Sequence, residues 1–307
     1  MNSIICIAGP TASGKTALSI ALAKELGGEV VSCDSMQVYK YMDIGTAKPT
    51  PEERAGIPHH MLDVADPGED FSVSRYCEMA APIVDDIISR GKTAIIAGGT
   101  GLYMDALIRG NDFAPFPSTG IREKLEQQPI EEVYARLQQV DPDSAMRLHL
   151  ADKKRIIRAM EVYLETGQTI TAHNLKTQVQ PPRYKPVWFG LSDENRQDLY
   201  DRIDLRVEQM VKDGLVDEIR SLLARGIPEK ATALQAIGYK EFLQVLYGQD
   251  TEENAIAQVQ QASRKYAKRQ LTWFRRNSSM NWLLRRPGMG MEEILMEARR
   301  ILLKNDN

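Results

Sequence analysis

Cysteine is scarce: Cys6, Cys33 and Cys77 are the three in 307 residues, an odd number without C-x-x-C spacing. That excludes a disulfide framework and argues against a structural zinc site. It suits a reducing compartment, so a cytoplasmic location is expected. Long apolar runs are missing too. None approaches the roughly 20 residues of a membrane-spanning helix, so no membrane partner is expected. The opening residues, Met1 to Ala8, carry no basic region ahead of their apolar stretch, so no signal peptide is expected there. Positive charge is not in excess, since 39 Lys and Arg against 42 Asp and Glu leave a net charge of −3. A nucleic-acid partner would therefore have to be met by clustered basic residues rather than abundant ones. What is present, 43% apolar and 26% charged residues, is an ordinary balance for a chain with a sizeable core. The length suits two domains, or one domain with a large insertion.

The pattern along the chain predicts an α/β fold. Residues 3–8 form a short apolar run of the kind buried on both faces of a sheet. A glycine-rich turn follows, then a helix from Thr16 to Leu26. Glu29–Cys33 reads as a second strand, Ser72–Arg90 as a helix, and Thr93–Ala97 as a third strand ending at Gly98-Gly99. Alternating strands and helices predict a parallel sheet covered by helices. The rhythm breaks at a proline-containing connector, Asp112–Thr119. Helical spacing alone then follows over Ile121–Gln128, Ile130–Val140, Pro142–Leu148 and Asp152–Thr166. A second proline-rich joint, Gln178–Pro186, precedes a strand at Val187–Leu191. Helices are expected at Arg196–Arg225 and Thr251–Arg276, a strand at Asn281–Leu284, and a last helix near Met291–Leu303. The expected organisation is a P-loop α/β core over 1–114, an all-helical insertion over 115–186, and the core resumed over 187–307.

Gly9-Pro10-Thr11-Ala12-Ser13-Gly14-Lys15-Thr16 matches G-x-x-x-x-G-K-[ST] in full, after a strand and before a helix. The glycines let successive backbone N–H groups converge on phosphate oxygens, and the helix N-terminus adds positive potential. Lys15 supplies a full charge, and the Thr16 hydroxyl can hold Mg²⁺. A di- or triphosphate is the expected ligand. Nucleotide hydrolases of this type end a strand in an Asp that holds Mg²⁺. Here the third strand runs into Gly98-Gly99-Thr100-Gly101 with no carboxylate. The acid stands instead after strand two, as Asp34, followed by Ser35-Met36-Gln37. Strand C-termini form the ligand crevice of an open parallel sheet, so Asp34 and Thr100 are expected to face the cradle. Asp34 is placed to accept a proton from a nucleophile; the alternatives are that it caps a turn or reaches Mg²⁺ through water. Thr100 can donate a hydrogen bond to a leaving oxygen.

These motifs do not stand alone. Asp34-Ser35-Met36-Gln37-Val38-Tyr39, Met42-Asp43-Ile44-Gly45-Thr46-Ala47-Lys48-Pro49, His59-His60-Met61-Leu62-Asp63, Gly98–Tyr103, Ala236-Ile237-Gly238-Tyr239 and Tyr266–Trp273 follow in order. Together they resemble the bacterial tRNA dimethylallyltransferase (tRNA isopentenyltransferase) family over nearly the whole chain. The resemblance implies transfer of a dimethylallyl group from dimethylallyl diphosphate to N6 of adenosine 37, beside the tRNA anticodon. It implies that Gly9 and Thr11–Thr16 grip the diphosphate, with Lys15 contributing to catalysis. Asp34 would be the general base and Thr100 would lie beside the bridging oxygen. Arg202 or Arg206 would help hold the diphosphate. It also implies tRNA contacts at Asp34–Gln37, Thr100, Arg122, Lys154, Arg155, Arg158, Leu234, Gly238 and Tyr239. The expected partners are the tRNA anticodon stem-loop and dimethylallyl diphosphate, with Mg²⁺ as cofactor and a monomer as the working form.

Arg264–Arg276 holds six basic residues and no acid, including Lys268 and Arg269. As a helix it sets Arg264, Lys268 and Arg275 on one face and aligns Tyr266 with Trp273 on another. Basic residues with aromatics nearby suit an RNA loop; the simpler alternative is a solvated helix whose Trp packs in the core. His59 and His60 with Asp63 and Asp66 make a poor metal site, because adjacent strand residues face opposite ways. His60 is expected to hold its loop in place. Two rival activities share the P-loop, a small-molecule kinase and an adenylate isopentenyltransferase. The inserted block, with its own basic cluster at Lys153-Lys154-Arg155 and Arg158, and the cluster at Arg264–Arg276 favour tRNA over both.

Overall fold

A computed structural model describes residues 4–110, 119–179 and 181–305. They fall into two compact units, residues 109–183 and the remainder of the chain. Residues 112–118 of the expected connector lie outside the described residues.

The larger unit is built on one parallel sheet. Its strands are β1 (Ile4–Ala8), β2 (Glu29–Ser32), β3 (His59–His60), β4 (Ala94–Gly98), β5 (Val187–Asp193) and β6 (Met280–Arg285). Their spatial order is β3-β2-β4-β1-β5-β6, with every pairing parallel. β1 lies between β4 and β5, and its alternate residues feed two separate cores. Ile4, Cys6 and Ala8 join a cluster with α2 (Val73–Ser89) and α3 (Gly101–Arg109), whereas Ile5 and Ile7 join α1 (Lys15–Leu26) and α13 (Met291–Asn305). Burial on both faces explains why the strand reads as continuously apolar. Each fully buried aliphatic side chain contributes about 1.5–3 kcal/mol.

The helical unit holds α4 (Ile121–Glu126), α5 (Ile130–Val140), α6 (Pro142–Arg147), α7 (Lys153–Thr166) and α8 (Ile170–Val179). They pack around Leu125, Val133, Leu137, Ile156 and Met160. Asp141, 3% exposed, caps α6 by accepting from the Ser144 amide at 3.0 Å and takes the Thr171 hydroxyl at 2.7 Å.

Four features differ from the expectation. The helix anticipated at Arg196–Arg225 is two, α9 (Arg196–Lys212) and α10 (Leu215–Ala224). Gly214, at φ 102°, turns the chain between them into the left-handed region that suits glycine. A 3₁₀ turn (Ala233–Gln235) and α11 (Tyr239–Leu246), neither of them anticipated, precede α12 (Glu252–Phe274). α8 occupies part of what reads as a joint. The two-residue strand β3 adds an edge beside β2 through Val30 and Val31.

Candidate active site

The sheet delivers β1, β2 and β4 side by side, so the loops leaving their C-terminal ends meet. These loops line a cavity of ≈ 880 Å³, together with residues 44–50, part of α9, residues 235–238 and the inner face of α12.

The phosphate cradle fills one end. A Cβ on Gly9 would stand 2.9 Å from the Leu191 carbonyl oxygen, a backbone atom that cannot move aside, and Gly14 takes φ 94°, in the left-handed region that suits glycine. Ala12 takes φ 60°, a left-handed residue that turns the backbone amides toward one concavity. Residues 11–16 line the cavity, and the Ser13 hydroxyl, buried, has no partner among the described residues. Lys15 Nζ donates to the Pro10 carbonyl at 2.6 Å. Burial and the nearby Arg206 cation push the pKa of the Lys15 ammonium down to about 8, with Asp34 pulling the other way. Arg206 is lowered for the same first reason, burial, and is likewise opposed by Asp34. Burial outweighs the pull of Asp34 on both cations, and of Glu53 on Arg206, so the two favour an added anion.

The two arginines left open by the sequence separate here. Arg206 lines the cavity. Arg202, one turn earlier on α9, donates from Nη2 to both oxygens of the buried Asp193 carboxylate at 2.8 and 2.7 Å, and its Nε donates to the Ala12 carbonyl at 3.1 Å. Its guanidinium braces the loop from behind.

Asp34 lines the cavity at the end of β2. Its Oδ1 accepts the amides of Met36 at 2.9 Å and Gln37 at 3.4 Å, so it does cap the turn. Its other oxygen has no hydrogen-bond partner among the described residues. Ser35, Met36 and Gln37 share the wall. The Gln37 amide is fixed by the Ser32 hydroxyl at 3.0 Å and by the Thr46 and Ala47 carbonyls, each at 3.2 Å. Thr100 departs from expectation. Its Oγ1 accepts the Ser35 amide at 3.0 Å, and the residues lining the cavity on that side are Gly98, Tyr266 and Gln270. A Cβ on Gly98 would lie 1.9 Å from the Cys33 carbonyl oxygen, which is why the turn after β4 can lie flat against the end of β2.

The residues expected to meet tRNA are spread unevenly. Gly238 lines the cavity, but Leu234 and Tyr239 are fully buried, so their side chains present no surface to a ligand. Tyr239 instead donates to Glu218 at 2.7 Å, and Glu218 also collects the amides of Asp43, Ile44 and Gly45 at 2.7, 2.7 and 3.1 Å. That one carboxylate pins the cavity wall at residues 43–45. Lys48, buried, secures the same loop through the Tyr39 carbonyl, Asp43 and Asp63. On α12, Lys268 and Arg269 are exposed and Arg269 borders the cavity. Arg264 is tied to Asp204, and Trp273 is packed against Gly101 while donating to Asp105 at 2.8 Å. The core alternative therefore holds for Trp273. In the helical unit Lys154 and Arg155 are exposed, whereas Arg122 and Arg158 converge on Glu161 at 3.4 and 2.8 Å. His60 bonds Glu29 at 2.8 Å, in a cluster with Arg90 and Lys92. No group of three or more His, Cys, Asp or Glu suited to a metal occurs among the described residues.

Sequence reasoning missed Glu218, and it missed Tyr266 and Gln270 as members of the site. Glu218 carries no motif. Gln270 accepts the Thr11 amide at 3.1 Å and donates to the Gly99 carbonyl at 3.0 Å, joining the cradle to the turn after β4; its place in a motif shared with Tyr266 was the available signal.

The IPP transferase family model matches residues 37–277. A tRNA dimethylallyltransferase of Thermoanaerobacter is 45% identical over 285 residues, spanning 91% of this chain and 90% of its own. The chain belongs to this family. Another member, tRNA dimethylallyltransferase 1 of Citrifermentans bemidjiense, is 45% identical over 280 residues, 91% of each chain. The solved full-length tRNA isopentenylpyrophosphate transferase of Bacillus halodurans superposes with a TM-score of 0.75 at 40% identity, covering 99% of this chain and 96% of that one. A eukaryotic dimethylallyltransferase acting on tRNA superposes with a TM-score of 0.80 at 31% identity, over 92% of this chain and 74% of that one. The tRNA dimethylallyltransferase fold is thus shared across nearly the whole chain.

Proposed function

We propose that the protein transfers a dimethylallyl group from dimethylallyl diphosphate to N6 of adenosine 37 in the tRNA anticodon loop, releasing diphosphate. The observation that carries this reading is one continuous cavity that holds a phosphate cradle, the cations Lys15 and Arg206, and the carboxylate Asp34 at the end of β2. The turn after β4 offers glycine where a nucleotide hydrolase needs an acid.

The diphosphate lies on the amides of residues 11–16 between Lys15 and Arg206. Its charge favours full protonation of Lys15, which burial and Arg206 discourage. The exocyclic adenine amine is a weak nucleophile, so it must be held against the allyl carbon and lose its proton as the new bond forms. Asp34 keeps one oxygen for that proton while its other oxygen fixes the turn. A base in a folded anticodon loop is inaccessible, so the nucleotide is extruded into the cavity. Lys268 and Arg269 on α12, with Lys154 and Arg155 on α7, supply cations for RNA phosphates.

Mg²⁺ fits the donor set. Thr16 opens onto the cavity beside the cradle, and magnesium characteristically takes few protein ligands, keeping water and phosphate oxygens for the rest. Thr16 would hold it with the diphosphate, and the ion would supply further neutralisation of the leaving group.

Nucleosides from tRNA incubated with the protein, Mg²⁺ and dimethylallyl diphosphate, analysed by mass spectrometry, should contain N6-dimethylallyladenosine. Absence of that product, together with transfer of phosphate from ATP to a small molecule, would replace this reading with the kinase one.

A further inference from the structure

The hydroxyl of Thr100 is engaged by Ser35, and Thr100 is not itself among the residues that line the cavity. Its Oγ1 accepts the Ser35 amide at 3.0 Å and donates toward the Ser35 hydroxyl at 3.4 Å. The side chain that lines the cavity there is Tyr266, in company with Asp34, Lys15 and Arg206. The Tyr266 hydroxyl interacts with the side chains of both Thr100 and Gln270. Gln270 is 5% exposed and locked at both ends of its amide, by the Thr11 N–H and the Gly99 carbonyl. A side-chain amide has two hydrogens, and only one is taken by Gly99. The fixed Gln270 amide, with a hydrogen to give, and the Thr100 hydroxyl, whose one hydrogen is shared between Ser35 and the phenol, thus meet at the phenol oxygen. That leaves the phenol's own hydrogen for the cavity.

We propose that Tyr266 is a further catalytic residue of the prenyl transfer described above, on which this inference rests, donating its phenol hydrogen to the diphosphate oxygen that leaves the allyl carbon. As the C–O bond breaks, its electron pair passes to that oxygen. The N6–C bond forms from the amine lone pair, and the N6 proton goes to Asp34. Tyr266 keeps its proton throughout and supplies a hydrogen bond that strengthens as charge develops. Burial pushes the phenol up to about 12, so it remains a donor across the working range. The run from the Ser35 amide through Thr100 to Tyr266 polarises each member in turn. The Arg269 guanidinium, 5.5 Å from the ring centroid, places a cation beside the same ring.

Tyr266→Phe keeps the ring and removes only the hydrogen bond. Its kcat should fall about 10²-fold, with KM for donor and for tRNA within about twofold and the unfolding temperature unchanged. Adding Thr100→Val should cost no more than about threefold beyond Tyr266→Phe alone, because residues acting as one chain are not additive. A Tyr266→Phe enzyme with wild-type kcat overturns the proposal. So does a loss confined to KM for tRNA, or losses that multiply with Thr100→Val. The wild-type protein is assayed alongside: if it forms no N6-dimethylallyladenosine, the proposed function fails and this inference with it. If it forms the product and Tyr266→Phe matches it, this inference alone fails.

Discussion

The phosphate cradle and helix α12 are both motif-bearing segments of the same cavity, yet one is read from sequence and the other is not. In the cradle the ligand-binding groups are backbone amides, and glycine is demanded at 9 by the Leu191 backbone and favoured at 14 by a φ of 94°. Geometry there follows from residue identity. On α12 the groups are side chains, and tertiary packing decides where each one goes. Arg264 and Lys268 lie four residues apart, but Arg264 is spent on Asp204 whereas Lys268 is exposed. Tyr266 lines the cavity, while Trp273 is held by Gly101 and Asp105. Charge composition pointed to a helix that borders the cavity but could not sort its residues.

The largest effect that sharpens this comparison lies in the cradle. Arg206→Ala should lower kcat/KM for the donor by about 10²-fold. It should leave thermal stability unchanged or slightly raised, since it relieves a cation crowding Lys15. Arg202→Ala should behave in the opposite sense. Removing the partner of a buried carboxylate costs about 3–5 kcal/mol when the pair is fully buried, and about 2–3 kcal/mol is expected here because Arg202 is partly open to water. Denaturant unfolding alongside donor kinetics separates the two. If Arg202→Ala were as stable as the parent and deficient only in donor binding, the two roles assigned on α9 would be exchanged.

On α12, Trp273→Ala should destabilise by about 2–3 kcal/mol, less than the about 3–5 kcal/mol of a fully buried aromatic, because Trp273 is half-buried. Replacing Lys268 and Arg269 with Ala should leave stability nearly untouched and reduce the salt dependence of tRNA binding, by about one unit of slope for each phosphate that is no longer neutralised. Arg264→Ala should not alter that slope. Filter binding over a salt series decides it: a slope change for Arg264→Ala would mean that its pairing with Asp204 is surrendered to RNA.

The smallest effect is in pH. Burial and Arg206 hold the pKa of Lys15 down to about 8. An anion requires the protonated amine, so affinity for dimethylallyl diphosphate should decline as pH rises through about 8, well before an ordinary lysine would lose its charge. In Lys15→Met the inflection should vanish. Calorimetric titrations at about pH 7 and about pH 9.5, on either side of that pKa, test this. An equal decline in both proteins would remove Lys15 as its source.

The same contrast explains what else was legible. β1, the cradle and α1 follow from a doubly buried apolar run, a glycine turn and a helix start. Asp34 was placed at the crevice because the C-terminal ends of the strands in an open parallel sheet form it. The break at Gly214 was not found, since the apolar spacing of α9 continues into α10 and only the backbone reverses. Leu234 and Tyr239 sit in a motif with Gly238, yet their side chains are buried and it is the intervening residues that reach the cavity. Glu218 was invisible because its role exists only once three consecutive amides from residues 43–45 arrive beside it. Local chemistry was readable; convergence from distant segments was not.

The central claim is that one cavity holds an allylic diphosphate while Asp34 takes the proton of the incoming amine. Single-turnover transfer by Asp34→Ala, with donor and tRNA both saturating, tests it most directly. The account expects the chemical step to slow by at least about 10²-fold, with the dissociation constants of donor and tRNA within a few-fold of the parent. A chemical step of undiminished rate, or a slower one matched by an equal fall in tRNA affinity, would contradict it.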